Sequence, residues 1–155
     1  VPMSTHLFSQ AEDIHHYLME IEDELTQFLN HKSVTSITTS DPSLNTTYIE
    51  AVVKQLRFLE VYCMEGKQAL NRLMATDQLQ GDVLEKVLRG IYHKCVNEFF
   101  SPKDDLWYED SRAAYRGKCA IEFQGEPGEA ITYLTRVVEP VFQDLREQLD
   151  YMEAV

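Results

Sequence analysis

Apolar residues recur at helical spacing along most of the chain. Leu7, Ala11, Ile14, Leu18, Ile21, Leu25 and Phe28 follow one another in alternating steps of four and three. That is the seam of a helix packed in a bundle. It predicts a first helix over 4–30, capped by Ser4 or Thr5. A second seam (Tyr48, Val52, Leu56 or Gln55, Leu59, Cys63, Gly66, Leu70, Leu73) predicts a helix over 43–74. Two starts fit it: Asp41-Pro42, with Pro in a first helical position, and Thr47-x-x-Glu50, a capping box. Leu84, Leu88, Ile91, Cys95 and Phe99 predict a third helix over 79–100. Val83, Val87, Tyr92, Val96 and Phe100 widen its apolar face, which suggests burial on more than one side. Ile131, Leu134, Val138, Val141, Leu145, Leu149 and Met152 predict a fourth over 128–153, kinked at Pro140.

Two segments break the pattern. Val34–Thr39 is β-prone. The connection 101–127 contains "SPKDDLWYEDSRAAYRGKCAIEF" up to Phe123 and carries the one Trp of the chain. Within it, Leu106–Tyr115 reads as about two helical turns ending at Gly117. Cys119, Ile121 and Phe123 then alternate as a strand does. An isolated strand needs a partner, and the expected one is 34–39. The predicted fold is therefore all-α. It is an up-and-down four-helix bundle of one domain over 1–155. A long ordered connection joins its third and fourth helices, and a small ribbon pairs 34–39 with 118–123.

Charge narrows the function classes. With 26 acidic and 14 basic residues, the net charge is −12. That opposes binding to nucleic acid or to an anionic membrane. The acids crowd the first helix (Glu12, Asp13, Glu20, Glu22, Asp23, Glu24). Lys54, Arg57, Lys67, Arg72, Lys86, Arg89 and Lys94 lie on the second and third, so the acidic flank of the first is expected to face one of these helices. Cys63, Cys95 and Cys119 are far apart and form no Cys-x-x-Cys. Buried thiols in a reducing cytoplasm fit them best. No apolar run approaches membrane-span length and no signal peptide is visible. Asn45-Thr46-Thr47 matches a glycosylation sequon, which has no meaning in a cytosolic protein.

Several chemistries fail on spacing. A bundle di-iron site needs two Glu-x-x-His copies, and only Glu12-Asp13-Ile14-His15 is present. The string Glu126, Glu129, Glu147, Asp150 imitates a magnesium site. Yet Glu129 and Glu147 fall on one helix, 18 residues and so roughly 27 Å apart. Arg89…His93 is one residue short of a bundle-ribonuclease pair. His93 and Cys95 point to different sides of a helix. His6, His15, His16 and His31 read as solvated or seam-flanking. Gly66 sits on a seam, where it is either simply tolerated or explained by the close approach of another backbone or a large ring such as Trp107.

One group of residues suits binding. Trp107, Tyr108, Arg112, Tyr115 and Arg116, with His93, offer aromatics beside cations for an anion or a carboxylate. The structural alternative is that the rings close an open bundle end while Arg112 pairs with Asp104, Asp105 or Asp110.

Ile91-Tyr92-His93-Lys94-Cys95, Glu98-Phe99-Phe100-x-Pro102-Lys103, Trp107-Tyr108-Glu109-x-Ser111-Arg112-x-Ala114-Tyr115-x-Gly117 and Ala120-Ile121-x-Phe123 carry a resemblance. The chain resembles the YpuI-like proteins, a small family from Firmicutes whose domain has no assigned function. The resemblance implies a bacterial cytoplasmic protein and brings no catalytic residue, metal or cofactor. The reading is a non-enzymatic interaction or regulatory module with a protein partner, a homodimer being one form of it. The rival is a small anionic-ligand binder or enzyme using 103–118 with His93.

Overall fold

The computed structural model describes residues 5–76, 81–110, 112 and 119–150. The chain is all-α, with one small antiparallel ribbon among the described residues. Its elements are α1 (Thr5–His31), α2 (Val34–Ser40), α3 (Thr46–Met74) and α4 (Gly81–Ile91). A π-helical turn (Tyr92–Val96) leads into α5 (Asn97–Phe100). Strands β1 (Trp107–Glu109) and β2 (Ile121–Phe123) follow, and α6 (Glu129–Leu149) ends the described chain. Packing runs as a ring: α1 against α3, α3 against α4, the π turn against α6, and α6 back against α1.

The seams become the core. Ala11, Ile14, Leu18, Ile21 and Leu25 are fully buried, and Leu29 rather than Phe28 ends the row. In α3 both Gln55 and Leu56 are inside, because the Gln55 amide donates to the Glu98 carbonyl at 3.1 Å. Ile49 replaces Tyr48 at the start of that seam. In α6 the buried ring of Phe142 takes the place expected for Val141, and it stacks on Phe99 with centroids 4.1 Å apart. The helix continues across Pro140 and carries both Glu129 and Glu147.

The third helical stretch contains the π turn. From Ile91 onward two adjacent residues are buried in each turn: Ile91 with Tyr92, Cys95 with Val96, Phe99 with Phe100. This realises the predicted second face, but only in its C-terminal half. Val83 stays exposed and Val87 half-buried.

Three expectations are corrected. Segment 34–39 is helix, not strand, so it does not pair with 118–123. The side chain of Ser33 accepts from the Ser36 amide at 3.0 Å and the Ser36 side chain accepts from the Ser33 amide at 2.8 Å, a reciprocal cap. It places Ile37 in the core. The ribbon exists with another partner: Trp107, Tyr108 and Glu109 pair with Phe123, Glu122 and Ile121. Hence 107–109 is strand and not part of a two-turn helix. Finally, α3 starts at neither sequence signal. Asn45, the sequon asparagine, caps it by accepting the Tyr48 amide at 3.0 Å.

Gly66 does need a close neighbour, but it is not Trp107. A Cβ there would lie 3.0 Å from Ile91 Cγ1 and 3.4 Å from Leu18 Cδ1. Among the described residues, the charge complementarity between α1 and α3 reduces to one ion pair, Lys67 to Glu22 at 2.5 Å.

Candidate functional site

The aromatic residues picked from the sequence divide between core and surface. Trp107 is buried, its indole Nε1–H donating to the Phe99 carbonyl at 2.5 Å and its ring edge-on to Phe123. Tyr108, next along the strand, faces outward and is exposed. Arg112 is exposed and lies 3.6 Å from Asp110, one of the carboxylates expected for it. Tyr115 and Arg116 lie outside the described residues. His93 is exposed on the π turn, edge-on to Tyr92, its Nδ1 3.4 Å from the Asn97 amide nitrogen. Among the described residues, His93 shares no hydrogen bond, ion pair or ring contact with Trp107, Tyr108 or Arg112.

A different cluster is assembled where the π turn, α5, β1 and α6 meet. Arg146 of α6 donates two parallel hydrogen bonds to Glu109 of β1, Nη1 to Oε1 at 2.8 Å and Nη2 to Oε2 at 2.6 Å. It also donates to Gln143, one turn back on α6. The guanidinium carbon stands 3.7 Å from the centre of the Phe100 ring. The Glu109 hydrogen bond, against burial, pushes the Arg146 pKa above its already high ordinary value. These groups border a pocket of about 440 Å³, to which Asn97, Ser101 and Asp150 also contribute. The partners are 37 residues apart, so no local spacing announces them. The available signal was a cation beside the α6 seam, between Leu145 and Leu149.

Glu139, one turn before Gln143, is 7% exposed. Its Oε2 accepts the Ala120 amide at 2.7 Å, while Oε1 has no hydrogen-bond partner among the described residues. Burial raises its pKa most, against the amides of Ala120 and Ile121, which hold it down. The nearby thiol of Cys119 is pushed up by burial and by the Glu139 charge.

A third feature lies on the outer side of α3 and α4. Phe58 and Tyr62 stack with centroids 6.3 Å apart, and Phe58 is 44% exposed. Lys54 stands over Phe58 and Lys94 over Tyr62, each 5.8 Å from the ring centre. Beside Tyr62 a shallow depression of about 190 Å³ runs between the helices, floored by Gly66, Ala69 and Gly90 and edged by Val87. Among the described residues no three His, Cys, Asp or Glu side chains group as metal ligands. No described helix is long and apolar enough to cross a membrane.

Residues 11–155 match the family described as protein of unknown function DUF3907. The chain belongs to this family. It is 32% identical over 146 residues to the uncharacterized protein YpuI of Bacillus subtilis, covering 94% of this chain and 81% of the relative. No solved structure matches it. The resemblance read from the residues around His93, Trp107 and Phe123 therefore holds, and the functional argument rests on the geometry.

Proposed function

We propose that this protein is a non-enzymatic interaction module, a four-helix bundle that docks a partner on the outer face of α3 and α4. The observation that carries the proposal is the stack of exposed Phe58 on half-buried Tyr62, with a lysine over each ring. Stacked aromatics in water offer a large apolar area at little cost in side-chain entropy, as interaction hot spots do. The small residues Gly66, Ala69 and Gly90 leave room beside them for the ridge of another helix. Lys54 and Lys94 present positive charge on a chain whose net charge is −12. The occupant that fits is an amphipathic helix with acidic residues flanking its apolar stripe. Cys63 and Cys95, buried and unbridged, suit a reducing bacterial cytoplasm as the place of work.

A photocrosslinking residue at Phe58, with Tyr133 as an exposed control on α6, tests this in Bacillus subtilis cells producing the protein. The expected product is a specific adduct at position 58 to an acidic, apolar helical segment, lost when Lys54 and Lys94 become Glu. Equal, unspecific labelling at both positions would defeat the reading.

A further inference from the structure

We infer that the pocket between the π turn, β1 and α6 binds a small zwitterion of the α-amino-acid type, its carboxylate held by Arg146. This inference is independent of the docking surface on α3 and α4.

The first ground is the Arg146 fork. It is pre-oriented by its stack on Phe100 and by Gln143, and it is largely shielded from water. A guanidinium held this way recognises a planar carboxylate through two parallel hydrogen bonds. Glu109 now makes those bonds, and its carboxylate stands where a ligand carboxylate would. Glu109 sits on a ribbon of three residues per strand. The Glu109 side chain is part-exposed, so it has a path to water when a ligand carboxylate takes its place on Arg146.

The second ground is space and charge. A pocket of about 440 Å³ lies beside the ion pair and falls in the range of small-molecule sites. Its ionic side chains are Arg146, Glu109 and Asp150. A simple carboxylate entering there would leave Glu109 unpaired beside a second negative charge. A zwitterion avoids this, because its ammonium replaces Arg146 as the partner of Glu109, with Asp150 a second carboxylate on the same pocket. Asn97 and Ser101, on the same wall, remain to hydrogen-bond a polar side chain. The π turn beside them widens the helix, a feature frequent at functional sites.

The experiment is a thermal-shift screen of the full chain with the twenty amino acids at 10 mM. Each active compound is then compared with its carboxamide and with its deaminated acid. At least one amino acid is expected to raise Tm by about 3 °C or more, with neither analogue doing so. Amide chemical shifts on titrating that amino acid should move at Asn97, Ser101 and Gln143, and Arg146→Lys should weaken binding at least tenfold. No stabilising amino acid, equal binding by the deaminated acid, or shifts confined to other residues would each overturn the inference. The chemical-shift map reads the wild-type protein, so it decides even if Arg146→Lys folds poorly.

Discussion

The Trp107 indole donates to the Phe99 carbonyl, 2.5 Å away, across the end of α5. Carbonyls in the last turn of a helix lack partners within it. Here the ribbon supplies one from inside the core, with Phe99 itself stacked on Phe142. Trp107→Phe keeps an aromatic ring and deletes the donor. The expected cost is about 1–3 kcal/mol, the usual penalty for a buried acceptor left unpaired. Trp107 is the one Trp of the chain, so urea unfolding must be followed by far-UV circular dichroism. The midpoint should fall with an unchanged slope. An unchanged midpoint would mean that the indole hydrogen bond contributes nothing.

Gly66 and Gly90 face the same depression and should answer oppositely to alanine. A Cβ at Gly66 meets Ile91 at 3.0 Å and Leu18 at 3.4 Å, both inside the core. A Cβ at Gly90 meets nothing within 4 Å. Alanine gains about 1 kcal/mol of helix propensity at either site. At Gly66 the crowding of Ile91 exceeds that gain, for a net loss of about 1–2 kcal/mol. At Gly90 the gain stands alone, so Gly90→Ala should raise Tm by a few degrees. Calorimetry of the two variants checks both signs.

The helical seams were legible because burial repeats at a spacing that the sequence displays directly. Ile14, Leu18 and Ile21 needed nothing from the rest of the chain to be placed. Segment 34–39 was not legible, because β-branched composition is a weak guide and the Ser33–Ser36 cap favoured helix instead. The ribbon was half legible. The alternation at Ile121 and Phe123 marked one strand, while the helical reading of 106–115 concealed its partner at Trp107–Glu109. The Arg146–Glu109 pair was invisible, since only the folded chain brings α6 to β1. The aromatic residues chosen as a binding group were chosen for type. The fold decided that Trp107 is core and Tyr108 surface.

The thiols differ in exposure, which a chemical titration can read. Cys63 and Cys95 are fully buried and Cys119 is exposed. A disulfide-exchange reagent at pH 8 should modify one equivalent in the native protein and three after denaturation. The native reaction should be slow for an exposed thiol, because burial and Glu139 raise the Cys119 pKa and deplete its thiolate. Glu139→Gln removes the charge and should speed that reaction severalfold. An unchanged rate would show that Glu139 has no influence on the thiol.

Glu139 also gives stability a definite pH dependence. Its pKa is raised in the folded state, first by burial and further by the charge of Glu109. The folded protein therefore holds the proton more tightly than the unfolded chain, whose carboxyl titrates near its ordinary value of about 4.3. Below that value both states are protonated and Glu139 imposes no ionisation cost. As pH rises from there through the folded pKa, the unfolded state loses its proton first and stability falls. Above the folded pKa the full cost remains. Glu139→Gln retains an oxygen to accept the Ala120 amide, the bond now made at 2.7 Å, and has no charge to bury. The variant should match the wild type near pH 4 and exceed it by several degrees in Tm at pH 7–8, so that the gap opens as pH rises. Melting curves of the two proteins from pH 4 to pH 8 test this, and a gap that is constant or reversed would show that Glu139 is ionised in the fold without cost.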